Sequence, residues 1–217
     1  MDGSDIRKLF FGTFFRNRDV DDIVRAHEPD REAGQDFDYI SSNTAVLAAV
    51  LRGAYGGRSV PSLAEEYVFA PLGMGAGTWL TDKEGGKALG YCCLQVTLAD
   101  YAKLGQLYLQ DGVVGTTRVI PEGWAAFVGT PPQASHEPGD GDVLADHGYG
   151  HHFWVPPNAD GEFYMAGYNG QIVWIDTERD VVVAMTSADP DWPGSKADFV
   201  PLARQLAAAA AEAREAS

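Results

Sequence analysis

Apolar and polar positions alternate differently in the two parts of this chain, with helical spacing first and short apolar runs in the last third. Residues 4–26 mix Ile6, Leu9, Phe10, Phe14 and Phe15 with arginines, which predicts a short helix followed by a loop. The polar stretch 27–36 then leads into Phe37-Asp-Tyr39-Ile-Ser41-Ser-Asn43-Thr and the apolar run Ala45-Val-Leu-Ala-Ala-Val-Leu51. That order predicts an extended approach, a polar turn and an apolar helix, and Ser41, Ser42 and Asn43 all suit its N-cap. Gly56-Gly57 breaks the pattern, and Ser62-Leu-Ala-Glu65 has the form of a capping box opening a second helix. Pro71 and Gly73 stop that helix, and 75–90 reads as a glycine-rich loop. Thr97-Leu-Ala-Asp100 opens a helix with Leu98, Tyr101, Leu104 and Tyr108 on one face, and Asp111-Gly112 ends it. Pro121 suits the first turn of a shorter helix, and 129–149 reads as loop.

Four short apolar runs follow: Phe153–Val155, Phe163–Met165, Ile172–Ile175 and Val181–Met185. Turn-forming segments separate them, which predicts an antiparallel meander. The unbroken apolarity of Val181–Met185 predicts strands covered on both faces. An alanine- and leucine-rich helix from about Asp198 to Glu215 closes the chain. The expected fold class is α+β in one domain spanning 1–217. Residues 37–149 form its mainly helical region, packed on the strands and terminal helix of 150–217.

Charge narrows the partners. A formal net charge of -15 argues against a nucleic-acid partner and disfavours an anionic membrane surface. No apolar run reaches the length of a membrane span, and the first residues lack a secretion pattern, so the expected location is cytoplasmic. Cys92 and Cys93 are adjacent, an arrangement that rarely gives a sound disulfide, and they fit a reducing compartment as small apolar fillers. His147, His151 and His152 follow Asp140, Asp142 and Asp146, but Gly148 and Gly150 argue for a solvated loop, so no metal is expected. Phosphate-cradling glycine patterns and a Gly-x-Ser-x-Gly elbow are absent, and no cofactor is expected.

Two polar motifs remain, Tyr39-x-Ser41 and Gly167-Tyr168-Asn169-Gly170. A phenol at the mouth of a helix can move protons once a cation or dipole lowers its pKa; the plainer alternative is a tyrosine packed beside a capped core helix. With Phe69-Ala-Pro71-Leu-Gly73-Met74, with Val96-Thr97-Leu-Ala-Asp100 through Asp111-Gly112, and with the Trp174 and Val181 hairpin, they stand in a characteristic order. In that order the chain resembles the class C β-lactamase-like serine hydrolases, which include penicillin-binding carboxypeptidases, esterases and 6-aminohexanoate-dimer hydrolases. The Tyr-x-Ser form and the Gly-x-x-Gly-Gln segment are most similar to the amide-hydrolase and esterase branches. The likeness spans about residues 37 to 186.

The resemblance implies a β-lactamase/transpeptidase-like fold acting on a small-molecule amide or ester through an acyl-enzyme. It implies that Tyr39 shuttles the serine proton, that Ser41 completes its motif and that the Tyr168 amide donates to the oxyanion. Gly167 and Gly170, flanking Asn169 in the substrate-binding segment, would let substrate approach the backbone. One departure is large. Ser-x-x-Lys, the nucleophile pair of such enzymes, occurs nowhere in these 217 residues; Ser4 has Arg7 at the third place on. The chain is therefore expected to be the C-terminal portion of such a hydrolase, with the N-terminal part missing and no activity alone. Its expected partner is that missing portion or a second copy. The alternative is a non-catalytic pseudo-enzyme, a small-molecule or peptide-binding remnant of the same fold.

Overall fold

The computed structural model describes Leu9 and residues 11–16, 18–26, 39–130, 146–190 and 199–216. They belong to two compact units, Met1–Val96 and Thr97–Ser217.

In the first unit a π-helical turn, Phe11–Phe15, precedes helix α1 (Val20–Arg25), where the sequence predicts one helix and a loop. Asp19 caps α1 by accepting the Asp21 amide at 2.9 Å. Helix α2 (Ser41–Ala54) packs on α1, and Ala45 shares a small core with Val20 and Leu89. The cap of α2 differs from expectation. Ile40, with extended backbone at φ -123 and ψ 136, occupies the N-cap position, and none of Ser41, Ser42 and Asn43 does. Helix α3 (Val60–Ala64) likewise starts earlier than its supposed capping box: Ser59 accepts the Ser62 amide at 3.2 Å, and Pro61 falls in the first turn where no amide is needed. The chain continues through a π-helical turn, Glu65–Phe69. Inside the supposed loop, strand β1 (Thr78–Trp79) pairs with β2 (Leu94–Gln95).

An ionic network ties these pieces together. The Lys87 ammonium donates to both Asp19 oxygens at 2.7 and 2.8 Å and pairs with Asp21 at 2.7 Å; Arg52 of α2 reaches the other Asp21 oxygen. Asp82 accepts the Val20 amide at 3.1 Å and the Lys87 amide at 2.8 Å. The hydrogen bond from Lys87 holds the Asp19 carboxyl below its ordinary value, against burial. A carboxylate whose folded pKa is depressed contributes stability above its unfolded pKa and loses it as pH falls through the folded one. Acid titration of the chain is therefore expected to lose stability below about pH 4, and Asp19→Asn to flatten that limb. Denaturant melts at several pH values check this; an unchanged acid limb in the variant contradicts it.

The second unit opens with α4 (Leu98–Leu109), capped as expected by Thr97, which accepts the Asp100 amide at 3.2 Å. Gly112, at φ 82, ends it: its amide donates to the Leu107 carbonyl at 2.7 Å in a backbone conformation that side chains rarely adopt. The short hairpin β3 (Val113–Val114) and β4 (Thr117–Arg118) follows. Helix α5 (Trp124–Val128) starts at Gly123, whose amide both Asp111 carboxylate oxygens accept at 3.0 Å.

A five-stranded antiparallel meander then runs in sequence order: β5 (Gly148–Gly150), β6 (Phe153–Val155), β7 (Glu162–Ala166), β8 (Ile172–Asp176) and β9 (Val181–Met185). Four strands are those predicted; β5 lies in the expected loop. Alternation along each strand sends side chains to opposite faces. Phe153, Phe163, Val173 and Ile175 form one core with Ala125 and Val128 of α5 and with Tyr101 and Tyr108 of α4. Helix α4 approaches so closely at Gly105 that a Cβ there would lie 2.6 Å from Val182 and 2.8 Å from Val173. On the opposite face Tyr164 and Trp174 stack at 5.7 Å, and both meet Phe199 of the terminal helix α6 (Phe199–Glu215). The sheet is thus covered on both sides. Arg204 fastens α6 to β7 through a two-pronged pair with buried Glu162, at 2.9 and 2.6 Å. The α+β class stands as read.

Candidate active site

Tyr39 lies in the first unit, one residue before the Ile40 cap, where extended backbone turns into α2. It is half-buried, and burial pushes its phenol above the ordinary tyrosine value. The shift is opposite to the lowering that the sequence reading requires of a proton shuttle, because desolvation disfavours the phenolate. At neutral pH the group therefore carries its proton and is a donor. Serving as a base requires a neighbouring cation to stabilise the phenolate. Ser41 is the first residue of α2 and half-buried, while Ser42 beside it is buried.

Gly167, Tyr168, Asn169 and Gly170 lie in the second unit and form the tight reversal between β7 and β8. The Gly167 amide donates to the Gln171 carbonyl at 2.7 Å and the Gly170 amide to the Gly167 carbonyl at 3.2 Å. Tyr168 at the tip is exposed, and its amide has no acceptor among the described residues. Such an amide is the kind of donor an oxyanion needs. Gln171, to which the sequence reading gave no role, holds the reversal in place. Its side-chain Oε1 accepts the Asn169 amide at 3.3 Å and its side-chain Nε2 donates to the Ser187 carbonyl. The Asp189 amide adds a bond to the Asn169 carbonyl at 3.2 Å, fixing the tip to the segment after β9. Gly167 leaves room for that glutamine: a Cβ there would collide with its Oε1. A long amide side chain directly after a glycine-bounded turn was the available signal.

The histidine group comes apart. Asp140 and Asp142 lie outside the described residues. His147, expected in a solvated loop, is buried, with its Nδ1 2.9 Å from Asp146. His151 and His152 form the β5–β6 turn, with φ of 52° and 69°, and the His151 ring packs on Phe127 at 4.0 Å. Burial, with His151 adding a smaller repulsion, lowers the pKa of His152. The cysteines correct the expectation: Cys92 and Cys93 are joined in a disulfide, Cys93 taking a positive φ of 73° to close the ring. Their pairing withdraws the support they gave to a reducing compartment. Among the described residues no helix is long and apolar enough to cross a membrane.

Comparison with known proteins places these motifs in context. The sequence profile of the Beta-lactamase family matches residues 4–208. The chain is 29% identical over 158 residues to the 6-aminohexanoate-dimer hydrolase of Paenarthrobacter ureafaciens, covering 72% of this chain and 40% of that protein. Among solved structures it is similar to a protein of Bacillus anthracis proposed to be a 6-aminohexanoate-dimer hydrolase. There the TM-score is 0.76 at 22% identity, with 92% of this chain and 54% of the other covered. A proposed β-lactamase of Bacteroides dorei matches at TM-score 0.56 and 20% identity, over 78% of this chain and 56% of the other. The chain thus spans about half the length of the relatives it matches. With that profile covering nearly all of its length, the chain belongs to the β-lactamase family of hydrolases.

Proposed function

We propose that this chain supplies the proton-relay and oxyanion elements of a serine hydrolase that cleaves amide or ester bonds through an acyl-enzyme. One observation carries the reading: Tyr39-x-Ser41 and the Gly167–Gly170 reversal are kept, while Ser-x-x-Lys is absent from all 217 residues. The serine and lysine then come from polypeptide outside this chain, equivalent to the part of the relatives it does not span. The lysine ammonium also answers the electrostatic problem of Tyr39, because a cation beside a desolvated phenol offsets burial and makes the phenolate accessible.

The chemistry follows. The serine hydroxyl oxygen attacks the carbonyl carbon as its proton passes to the Tyr39 oxygen. The oxyanion that forms accepts a hydrogen bond from the Tyr168 amide. Tyr39 returns the proton to the leaving amine or alkoxide as the acyl–heteroatom bond breaks. Water, deprotonated through the same relay, then releases the acid product and the free serine. Ser41, the first residue of α2, completes the motif.

Hydrolysis assays test this with the 6-aminohexanoate dimer named for the relatives and with simple aryl esters. The chain alone is expected to show no turnover. Co-expressed with the part of the Paenarthrobacter hydrolase outside the aligned residues, it is expected to turn over. Tyr39→Phe should then lower kcat by roughly 10²–10⁴ with KM little changed. Turnover by the chain alone contradicts the reading. The absence of Ser-x-x-Lys also leaves a second reading, a binding remnant without chemistry. It predicts ligand binding and no turnover in either preparation.

A further inference from the structure

We propose that the Cys92–Cys93 disulfide is a redox-sensitive switch on the packing of α2, opened by a dithiol reductant and closed again by oxidation. A disulfide stabilises a fold mainly by closing a loop in the unfolded chain, and more so for longer loops. Here the two cysteines are neighbours in sequence, so almost no chain is closed and a role as a staple gains little. The local effect is larger. Cys93 holds a φ of 73°, a backbone conformation that is costly for a residue with a side chain and that the closed ring maintains. Breaking the Sγ–Sγ bond releases that constraint, and the backbone on either side has to follow.

Both sides are committed to packing. Upstream, the Cys92 amide donates to the Leu89 carbonyl at 3.2 Å. Cys92 and Tyr91 pack against the core of Val20, Ala45 and Leu89. Gly90 lies so close to α2 that a Cβ there would collide with the Ala48 side chain. Ala45 and Ala48 belong to the buried face of α2. Downstream, Cys93 runs directly into β2, where Leu94 pairs with Trp79 and Gln95 with Thr78 of β1. The ring is thus the joint between a turn seated on α2 and a two-stranded hairpin. Tyr39 stands just ahead of the first residue of that helix. Both cysteines are half-buried, which leaves the sulfurs within reach of a small reductant.

A thiolate of the dithiol attacks one cysteine sulfur, and the other cysteine leaves as a thiolate. The reductant's second thiol then displaces the remaining cysteine from the mixed disulfide. Two electrons pass to the cysteine pair, the reductant becomes a disulfide, and its two protons end on Cys92 and Cys93. The consequence for Tyr39 rests on the reading above; the change at α2 does not, and it is measured without turnover.

Hydrogen exchange of the full chain, oxidised and after dithiothreitol, tests this, with iodoacetamide counting the thiols released. Reduction should expose both cysteines and speed exchange of the α2 amides about tenfold, while β7 and β8 in the other unit keep their rates. Two variants, each carrying Cys92→Ser so that no thiol remains, separate the backbone from the bond. With Cys93→Gly, which takes a positive φ at little cost, α2 should exchange close to the oxidised rate. With Cys93→Ala, which is strained at that φ, it should exchange close to the reduced rate. A ring that dithiothreitol leaves closed, α2 exchange unchanged by complete reduction, or equal exchange in the two variants each overturns the proposal. Failure of the hydrolysis assays leaves the switch standing and removes only its consequence for Tyr39.

Discussion

Trp174→Ala is expected to destabilise the second unit by about 3–5 kcal/mol, the largest effect of any single core truncation proposed for it. The indole is fully buried at the centre of β8, where it stacks on the Tyr164 ring and meets Phe199 of α6 edge-on. Truncation removes the transfer energy of a large aromatic side chain and leaves a cavity that strands on both sides prevent from closing. Stability of this order is a large fraction of what a single domain possesses. Guanidinium melts followed by far-ultraviolet circular dichroism measure it. A loss below about 1 kcal/mol would mean that α6 does not close this face of the sheet.

Arg204→Met is the second large effect. Glu162 is 2% exposed, and its carboxylate is held by the Arg204 guanidinium at 2.9 and 2.6 Å, with Arg179 more distant at 3.7 Å. Arg204 also donates to the Pro157 carbonyl at 3.0 Å. Removing the arginine strands a buried carboxylate, and the expected cost is about 3 kcal/mol or more. Replacing both partners, with Glu162→Leu added to Arg204→Met, should recover most of that loss, because the penalty comes from the unpaired charge and not from the lost attraction. Equal losses in the single and double variants would place the cost in the Arg204 stem and its carbonyl contacts instead.

Reading the chain from its residues succeeded where local chemistry decides structure. Strands β6 to β9 are apolar runs bounded by glycine, proline and aspartate, and α4 begins at a threonine followed three residues later by aspartate. It failed where distant partners decide. Gly148-Tyr-Gly150 has no strand propensity of its own and becomes β5 only because β6 offers hydrogen-bonding groups alongside. Ile40 holds the cap position of α2 because the chain arrives there extended, whatever the serines beyond it could do. The apolar run of α2 was rightly read as helix; Ala45 and Ala48 are buried while Val46, Leu47, Val50 and Leu51 are exposed, since periodicity identifies an apolar side without saying what covers it.

The candidate site shows the same division. Tyr39 and the Gly167–Gly170 reversal were visible as motifs, and the structure places the first at a helix mouth and the second at a hairpin tip. The electrostatic state of Tyr39 was not visible. Its pKa is raised where a proton shuttle needs it lowered, because burial depends on the whole environment of the side chain. The role of Gln171 escaped for a related reason: its partners, Asn169 and Ser187, are brought together only by the turn and the strand after it.

Covalent labelling with a fluorescent fluorophosphonate addresses most directly whether the nucleophile lies outside this chain. The reagent forms a stable adduct with an activated serine. The chain alone should remain unlabelled. Co-expressed with the complementary part of the Paenarthrobacter hydrolase, the added segment should take the label, and Tyr39→Phe in this chain should slow that labelling. Fluorophosphonate on any serine of the isolated chain would contradict a nucleophile supplied from outside.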